Sequence, residues 1–454
     1  DSPVFDQPID TWDVSSVTDM SYMFNSAEAF NQPIDTWDVS SVTDMSSMFQ
    51  GATLFNQSIN FWTTRNDVTL VSMFLSATAM HTRFTGSPGF DDTPTIAFFN
   101  KTRITQANIQ TAVTTWLSDQ TTAIGTYGHI SYWDTSAVTN MNSLFYNTVS
   151  GTSLFNDDIG NWDTSAVTDM NSMFLGCSLF NQDIGNWDTG NVSDMAIMFY
   201  QAIKFNNGQT NNEGTAPLNW DVSKVTTMET MFAGSAGGPA GSNVPISAFN
   251  QSINSWDVSN VSNMNNMFSE ASVFNKPLDQ WNVSNVTSMS GMFYNTLAFD
   301  QPINTQEVTV NGSTYNAWDV SKVTDMSYIF TGASVFNKPL DQWNVGNVTT
   351  MYGMFHNAGA FNNGQTNNEG TAPLNWDVSK VTEMSSMFEG ASVFNQSIGS
   401  WDVSKVKDMQ AMFSWTQAFD IDISNWNVGI VTDMSFMFYN NPVFDQPINT
   451  QEVT

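Results

Sequence analysis

The chain has 454 residues, of which 43 are Asp or Glu and 12 are Lys or Arg, giving a formal net charge of −31. Such an acidic surface argues against nucleic-acid partners and anionic membrane surfaces, because phosphate binding needs clustered Lys and Arg. No run of about 18 apolar residues occurs, so we expect no membrane insertion in this segment. The single cysteine, Cys177, excludes a disulfide scaffold.

A repeated unit of 25 residues dominates the sequence. In the copy that begins at Ile34, Trp37 and Val39 alternate with polar residues, which predicts a short strand with one buried face. The apolar residues of the following segment, 42–55, recur at three- and four-residue spacings, which predicts a short amphipathic helix. The tryptophan of the unit recurs at positions 12, 37, 62, 133, 162, 187, 220, 256, 281, 318, 343, 376, 401 and 426.

One strand and one short helix in every 25 residues are typical of a leucine-rich-repeat-type solenoid. The sequence therefore predicts an α/β fold, a leucine-rich-repeat-like solenoid with one short parallel strand and one short helix per 25-residue unit. Trp, Met and Phe should form buried columns, since one unit cannot bury both of its apolar faces alone. Insertions between the Phe of one unit and the Trp of the next predict longer loops on that side.

The repeat fails between Thr78 and Ile130. A turn-rich stretch that ends at Pro94 is followed by apolar residues at helical spacing from Ile104 to Leu117. We predict that residues 1–93 are the C-terminal part of a first solenoid, 94–130 a linker with a capping helix, and 131–454 a second solenoid. A single solenoid with a helical insertion is the alternative. Because the chain starts and stops inside a unit, we also expect further repeats beyond both ends.

Asn or Asp follows the Phe at the corner of each complete unit, and such a side chain can satisfy backbone groups at a turn. This structural role weakens three apparent glycosylation sequons, at Asn56, Asn250 and Asn395. The remaining sequons are glycosylation candidates if the source has a eukaryotic secretory pathway. They lie at Asn100, Asn191, Asn260, Asn282, Asn285, Asn311 and Asn347.

The residue after the repeated tryptophan is Asp in ten of fourteen units, and strand alternation would place it on the solvent face. Like charges in neighbouring units repel, so either backbone hydrogen bonds in the adjoining turn or weakly bound cations, with Ca²⁺ favoured, must offset the repulsion. Both explanations stay open. The candidate cation ligands are Asp13, Asp38, Asp134, Asp163, Asp188, Asp221, Asp257, Asp319, Asp377 and Asp402.

No catalytic grouping is recognisable. His81, His129 and His356 occupy non-equivalent positions far apart in the sequence, and Cys177 replaces a small buried residue of the unit. Carboxylates repeat with the unit instead of converging on one site, so we expect neither an enzyme nor a tightly bound cofactor.

The string from Trp37 to Phe49, with the corner segment from Ala27 to Ile34, resembles the BspA-like surface-protein repeat, also described as the mycoplasma lipoprotein repeat of unknown function. Residues 112–134 resemble the way domains of that family begin. The resemblance implies a secreted or surface-anchored protein associated with adhesion. We therefore expect an extracellular, non-catalytic repeat protein that binds other proteins or surface glycans, or copies of itself. A structural subunit of an extracellular filament or appendage is the alternative.

Overall fold

The computed structural model describes residues 2–146, 152–210, 215–234, 247–366 and 373–448. It divides into two compact units, Asp1–Val138 with Asp157–Thr164, and Thr139–Asn156 with Ser165–Thr454. Regular elements are few in these residues: α1 is Thr78–Phe84, α2 is Ile109–Ser118, α3 is Gln120–Tyr127, a 3₁₀ turn spans Ile130–Tyr132, β1 is Gln306–Val310 and β2 is Ser313–Ala317.

Neighbouring repeats are joined by isolated parallel bridges at one recurring position. In the first compact unit, Asp44 bridges Asp19 of the preceding repeat and Thr69 of the following one. The predicted position of the strand is wrong, because the bridge lies at Asp44 and not at Trp37–Val39. The reason is local: the N–H groups of Trp37 and Val42 each donate to the carbonyl three residues earlier, so Trp37–Val39 runs between two turns. In the second compact unit a further bridge joins Ser153 to Cys177. The residues bridged there at the position equivalent to Asp44 are Asn140, Asp169, Asp194, Thr227, Asn263, Ser288, Asp325, Thr350, Glu383, Asp408 and Asp433.

The helix predicted over residues 42–55 is also wrong, because this segment forms successive turns. Met48 N–H donates to the Met45 carbonyl at 3.2 Å, three residues back, instead of making the four-residue bond of an α-helix. Alternate N–H groups leave the repeat altogether: those of Ser47 and Phe49 donate to carbonyls of the next repeat at 2.9 Å. The segment therefore hydrogen-bonds each repeat to the next.

Two residues of this segment adopt left-handed backbone conformations, Ser47 with φ 53° and Gly51 with φ 70°. A positive φ at the third residue of a four-residue turn is the signature of a type II turn, and it cannot occur inside a right-handed helix. Other repeats place Ser, Asn or Gly at these two positions in most cases, as in Ser172 and Gly176. Glycine meets no steric cost there, and asparagine tolerates the conformation best among the others.

The core consists of aromatic columns. Trp281 is fully buried, and its indole Nε1 donates to the Ile253 carbonyl of the preceding repeat at 3.1 Å. Two phenylalanines per repeat stack on their equivalents in the next, as Phe268 does on Phe293 with ring centroids 5.8 Å apart. The predicted aromatic columns are confirmed for the interior repeats. Trp12 departs from the prediction, since 54% of it is exposed.

The corner asparagines form a second column, as predicted. The N–H of Asn56 donates to Oδ1 of Asn31 at 2.8 Å, and the N–H of Asn31 donates to Oδ1 of Asp6 at 3.0 Å. Each corner side chain thus accepts from the backbone of the next repeat. Asn250 and Asn395, two of the weakened sequons, are buried within this ladder.

The segment that interrupts the repeats belongs to the first compact unit. Its backbone continues the preceding repeats: Asn100 N–H donates to the Trp62 carbonyl at 3.1 Å, and Lys101 N–H to the Asn60 carbonyl at 3.0 Å. The predicted helix is present as α2, which begins at Ile109 and not at Ile104. The compact units divide after Val138, whereas the sequence suggested boundaries after 93 and 130, because the interrupting segment hydrogen-bonds to the repeats before it.

Candidate binding surface

The aspartate after each repeated tryptophan lies at the start of a tight turn. Oδ1 of Asp38 accepts the N–H of Ser40 at 3.0 Å, and Oδ1 of Asp402 accepts that of Ser404 at 3.0 Å. The other predicted cation ligands also directly follow a repeated tryptophan. Of all ten, eight are exposed, and Asp134 and Asp319 are half-buried. We call this row of side chains, with Asn282, Asn344 and Asn427 in the same slot, the acidic ladder.

Hydrogen bonds within the turn stabilise the charged form of Asp38 and Asp402. The hydroxyl and then the N–H of Ser40 lower the pKa of Asp38, and the charge of Asp13 in the neighbouring repeat is the smallest of the causes that act on it. Ser404 lowers the pKa of Asp402 in the same order of causes. At Asp38 the hydrogen bonds of the local turn therefore outweigh the repulsion from the neighbouring aspartate. Among the described residues no group of three or more His, Cys, Asp or Glu side chains is arranged to hold a metal ion.

Lysines lie beside the acidic ladder in the second compact unit. Lys224 Nζ donates to Oδ1 of Asn191 at 2.7 Å, and Lys380 Nζ donates to Oδ1 of Asn347 at 2.6 Å. The hydroxyl and the N–H of Ser223 or Ser379 lower the pKa of Asp221 or Asp377, and the positive charge of Lys224 or Lys380 lowers it further. This partial neutralisation was not predicted from the sequence, although the recurring string Asp-Val-Ser-Lys signals it.

Most candidate sequons lie in the same surface, where the side-chain amide is engaged. Nδ2 of Asn191 donates to the Ser165 carbonyl at 2.8 Å, and Nδ2 of Asn260 donates to that of Ser223 at 2.7 Å. Asn285 and Asn347 make the same bond at 2.7 Å to the preceding repeat.

The other three sequons differ from this pattern. Asn100 bonds to Thr64 through both ends of its amide. Asn282 is half-buried, and Asn311 is exposed at the tip of the β1–β2 hairpin.

The β1–β2 hairpin is the insertion between Phe299 and Trp318. Its strands pair in an antiparallel register, with Val308 opposite Tyr315, and Asn311 and Gly312 both have positive φ at the tip. An Asn-Gly pair between alternating β-branched and aromatic residues is the strongest local signal for a hairpin. The sequence analysis treated this stretch only as a loop and missed it.

The hairpin leans over the acidic ladder and closes a cleft of about 290 Å³ against it. The hydroxyl of Tyr315 fixes this position by donating to the Gln280 carbonyl at 2.6 Å. Burial, followed by the negative charge of Asp257, raises the pKa of Tyr315. The cleft is lined by Asn254, Ser255, Trp256, Asp257, Ser259, Asn282, Val310, Asn311, Ser313 and Tyr315.

Several polar groups of this cleft keep hydrogen-bonding capacity. Oδ1 of Asp257 accepts from Ser259 N–H at 3.0 Å, which leaves Oδ2 without a partner among the described residues. Oδ1 of Asn282 accepts from Ser284 N–H at 3.2 Å, and its Nδ2 has no hydrogen-bond partner among the described residues. Both residues line the cleft, and they come from adjacent repeats.

A family model described as "Mycoplasma protein of unknown function, DUF285" matches residues 1–87, 115–237, 210–316, 306–372 and 364–454. Together these matches cover the whole chain except residues 88–114, which lie inside the interrupting segment. The chain belongs to this family. No curated protein and no solved structure matches the chain. The DUF285 model thus covers the acidic ladder and the hairpin cleft without assigning either one a role.

The histidines of this DUF285 chain lie in separate surroundings. His81 Nε2 lies 3.0 Å from Oδ1 of Asp92, and His356 Nε2 lies 4.0 Å from Oε2 of Glu389. His129 packs edge-on against Trp116. Cys177 is buried, and that burial raises the pKa of its thiol to about 12. Little of the reactive thiolate is therefore present at neutral pH. None of the described helices is long and apolar enough to cross a bilayer.

Proposed function

We propose that the chain is a non-catalytic extracellular or cell-surface repeat protein that acts in adhesion by binding other proteins or glycans. The hairpin cleft carries this proposal. It is a concave site on the repeat surface, and the oxygen Asp257 Oδ2 and the nitrogen Asn282 Nδ2 both keep unused bonding capacity there. Pockets with a few convergent polar groups are the usual ligand sites of proteins.

The fold that we propose for this role is a parallel solenoid of the leucine-rich-repeat type in which turns replace the expected helix. The recurring parallel bridges and the Trp, Phe and Asn columns within each compact unit support it. The same features support the finer assignment to BspA-like surface proteins. An extracellular location follows from that assignment, and the polar, acidic surface with its low lysine content is compatible with it.

The chemistry of the cleft favours binding over catalysis. Asp257 and Tyr315 are its titratable lining groups, and Tyr315 has a raised pKa. General acid–base catalysis near neutral pH needs a group that titrates there, and a tyrosine with a raised pKa moves away from that range. Binding needs only the shape and the hydrogen-bonding groups already present.

The proposal is tested with the full chain immobilised on a sensor and exposed to panels of extracellular-matrix proteins and of glycans. We expect saturable binding to at least one class. A variant that lacks Gln306–Ala317 restores the 25-residue interval between Trp281 and Trp318 and should lose part of that binding. An Asp402→Ala variant alters an equivalent turn outside the cleft and should keep it.

Absence of saturable binding to both panels would contradict the proposal. If the wild-type chain binds neither panel and forms regular polymers in electron micrographs, the filament subunit would be favoured instead.

A further inference from the structure

The groups that face the hairpin cleft are hydrogen-bonding but almost uncharged. Hydroxyls of Ser255, Ser259 and Ser313 line it with the amide of Asn282. This mixture of donors and acceptors suits a ligand that carries several hydroxyl groups, because each hydroxyl both donates and accepts. A purely apolar ligand would leave these groups without partners, at a cost for each.

The remaining wall of the cleft is aromatic and apolar. Tyr315 is half-buried with its hydroxyl tied to Gln280, so its ring is held in one orientation. Trp256 and Val310 extend this wall. A volume of about 290 Å³ accommodates one ring-sized ligand and not a folded peptide segment.

The charge of the cleft excludes acidic ligands. None of the residues that line it is Lys, Arg or His, whereas Asp257 contributes a carboxylate whose second oxygen is unpaired among the described residues. An anionic ligand would be repelled by this carboxylate. A neutral polyol can instead donate to it in a charge-assisted hydrogen bond, which is stronger than a neutral one.

We infer that the hairpin cleft binds a single uncharged sugar ring, with Asp257 Oδ2 accepting from ligand hydroxyls, Asn282 Nδ2 donating to a ligand oxygen and the Tyr315 ring packing against the sugar face. This inference rests on the proposed binding function and specifies the ligand class for one of its sites. It requires no cation and no covalent step.

The test is a titration of the full chain by ligand-observed NMR with the methyl glycosides of glucose, galactose, mannose and N-acetylglucosamine, and with glucuronic acid as the charged comparison. We expect saturable binding of at least one neutral glycoside and no binding of glucuronic acid. Asp257→Ala should weaken the binding about tenfold, as expected for the loss of a hydrogen bond to a charged group. Asp402→Ala is the matched control, since it removes the same turn acceptor where no hairpin covers the ladder, and it should leave the affinity unchanged.

Two tyrosine variants separate the ring from its hydroxyl. Tyr315→Phe keeps the aromatic wall and should bind within about threefold of the wild type, whereas Tyr315→Ala should weaken binding about tenfold or more. Thermal melting of each variant checks that the repeats remain folded.

Three results would overturn the inference: no saturable binding of any neutral glycoside, stronger binding of glucuronic acid, or equal losses in Asp257→Ala and Asp402→Ala. If the chain still binds a protein from the matrix panel in any of these cases, the proposed function stands and only the sugar site is wrong. If both measurements are negative, the proposed function is wrong as well.

Discussion

The backbone N–H of Asn275 donates to Oδ1 of Asn250 at 2.9 Å, and the N–H of Asn250 in turn donates to Oδ1 of Asn206 at 2.9 Å. Each corner side chain thus supplies the acceptor that the following repeat needs. Because Asn250 is only 6% exposed, water cannot readily replace that acceptor. The bond therefore links the stability of one repeat directly to a side chain of its neighbour.

Replacing Asn250 by Ala should lower the free energy of unfolding by about 1–3 kcal/mol, because it leaves the Asn275 N–H without an acceptor. Asn250→Asp keeps the acceptor oxygen and should cost less, since Asp300 already accepts the equivalent bond from Asn337 at 3.0 Å. Urea denaturation followed by tryptophan fluorescence measures both variants. Equal stability of the wild type and Asn250→Ala would show that the ladder does not support the corner.

A larger loss of stability is expected when a tryptophan of the buried column is removed. Trp281→Ala removes a fully buried indole and its bond to the Ile253 carbonyl, and it should cost about 3–5 kcal/mol. Trp415 is the internal control: it is 50% exposed, so Trp415→Ala should cost less than about 1 kcal/mol. The same denaturation experiment compares the two. A loss at Trp281 no larger than that at Trp415 would contradict the column.

Glycine substitution distinguishes the observed turns from a helix by the sign of the effect. Gly51 has φ 70°, and a Cβ there meets nothing closer than 3.6 Å, so conformational strain alone decides the outcome. Gly51→Ala should destabilise by about 1–2 kcal/mol in a left-handed position, whereas in a helix it would stabilise by about 1 kcal/mol. Gly125, inside α3 with open space around its Cβ, is the matched control. There the substitution to Ala should stabilise, and a gain at both sites would restore the helical prediction.

The acidic ladder should respond to pH through its turns. Hydrogen bonds from Ser15 lower the pKa of Asp13, so the stabilisation that they provide is complete above the pKa of the unfolded chain and is lost as the pH falls through the lower folded value. Ser15→Ala removes the largest cause and should move the Asp13 pKa upward, towards its ordinary value. Titration of the side-chain carboxyl carbon by NMR measures this shift. An unchanged pKa would mean that the hydroxyl does not stabilise the carboxylate.

Calcium binding along the acidic ladder is the remaining prediction. Weak sites with a Kd near 1 mM should add about 1.4 kcal/mol per independent site in 10 mM Ca²⁺. The measurement compares thermal melting in Ca²⁺ and in EGTA at matched ionic strength, which cancels general screening. Coincident melting curves would exclude such sites and leave the serine bonds and neighbouring lysines as the stabilising partners of Asp221 and Asp377.

The sequence predicts the buried columns and the corner ladder well, because the identities of Trp37, Phe49 and Asn56 recur in register. It misassigned segment 42–55, because two consecutive four-residue turns bury side chains at the same three- and four-residue spacings as a helix. Gly51 was the available contrary signal, since glycine at a fixed position of a supposed helix is costly and points to a left-handed turn.

The cleft could be predicted only in part. Asn311 and Gly312 identify the hairpin from sequence alone. That the hairpin lies over Asp257, which is 49 residues or more away along the chain, depends on how the repeats align and on the bond from Tyr315 to Gln280. Neither relationship has a local sequence signal.

The indole bond of Trp318 has a practical consequence for redesign. Its Nε1 donates to the Leu278 carbonyl at 2.8 Å, the same connection that Trp281 makes to Ile253, although the hairpin intervenes only before Trp318. The hairpin between the corner and Trp318 therefore leaves the indole bond between repeats in place. Residues 306–317 could accordingly be transplanted ahead of Trp401, which follows Trp376 at the uninterrupted 25-residue interval, to place a second hairpin on the same scaffold. The positions of Asp257 and Asn282 would there be occupied by Asn344 and Asp377, so the carboxylate and the amide of the cleft would exchange places.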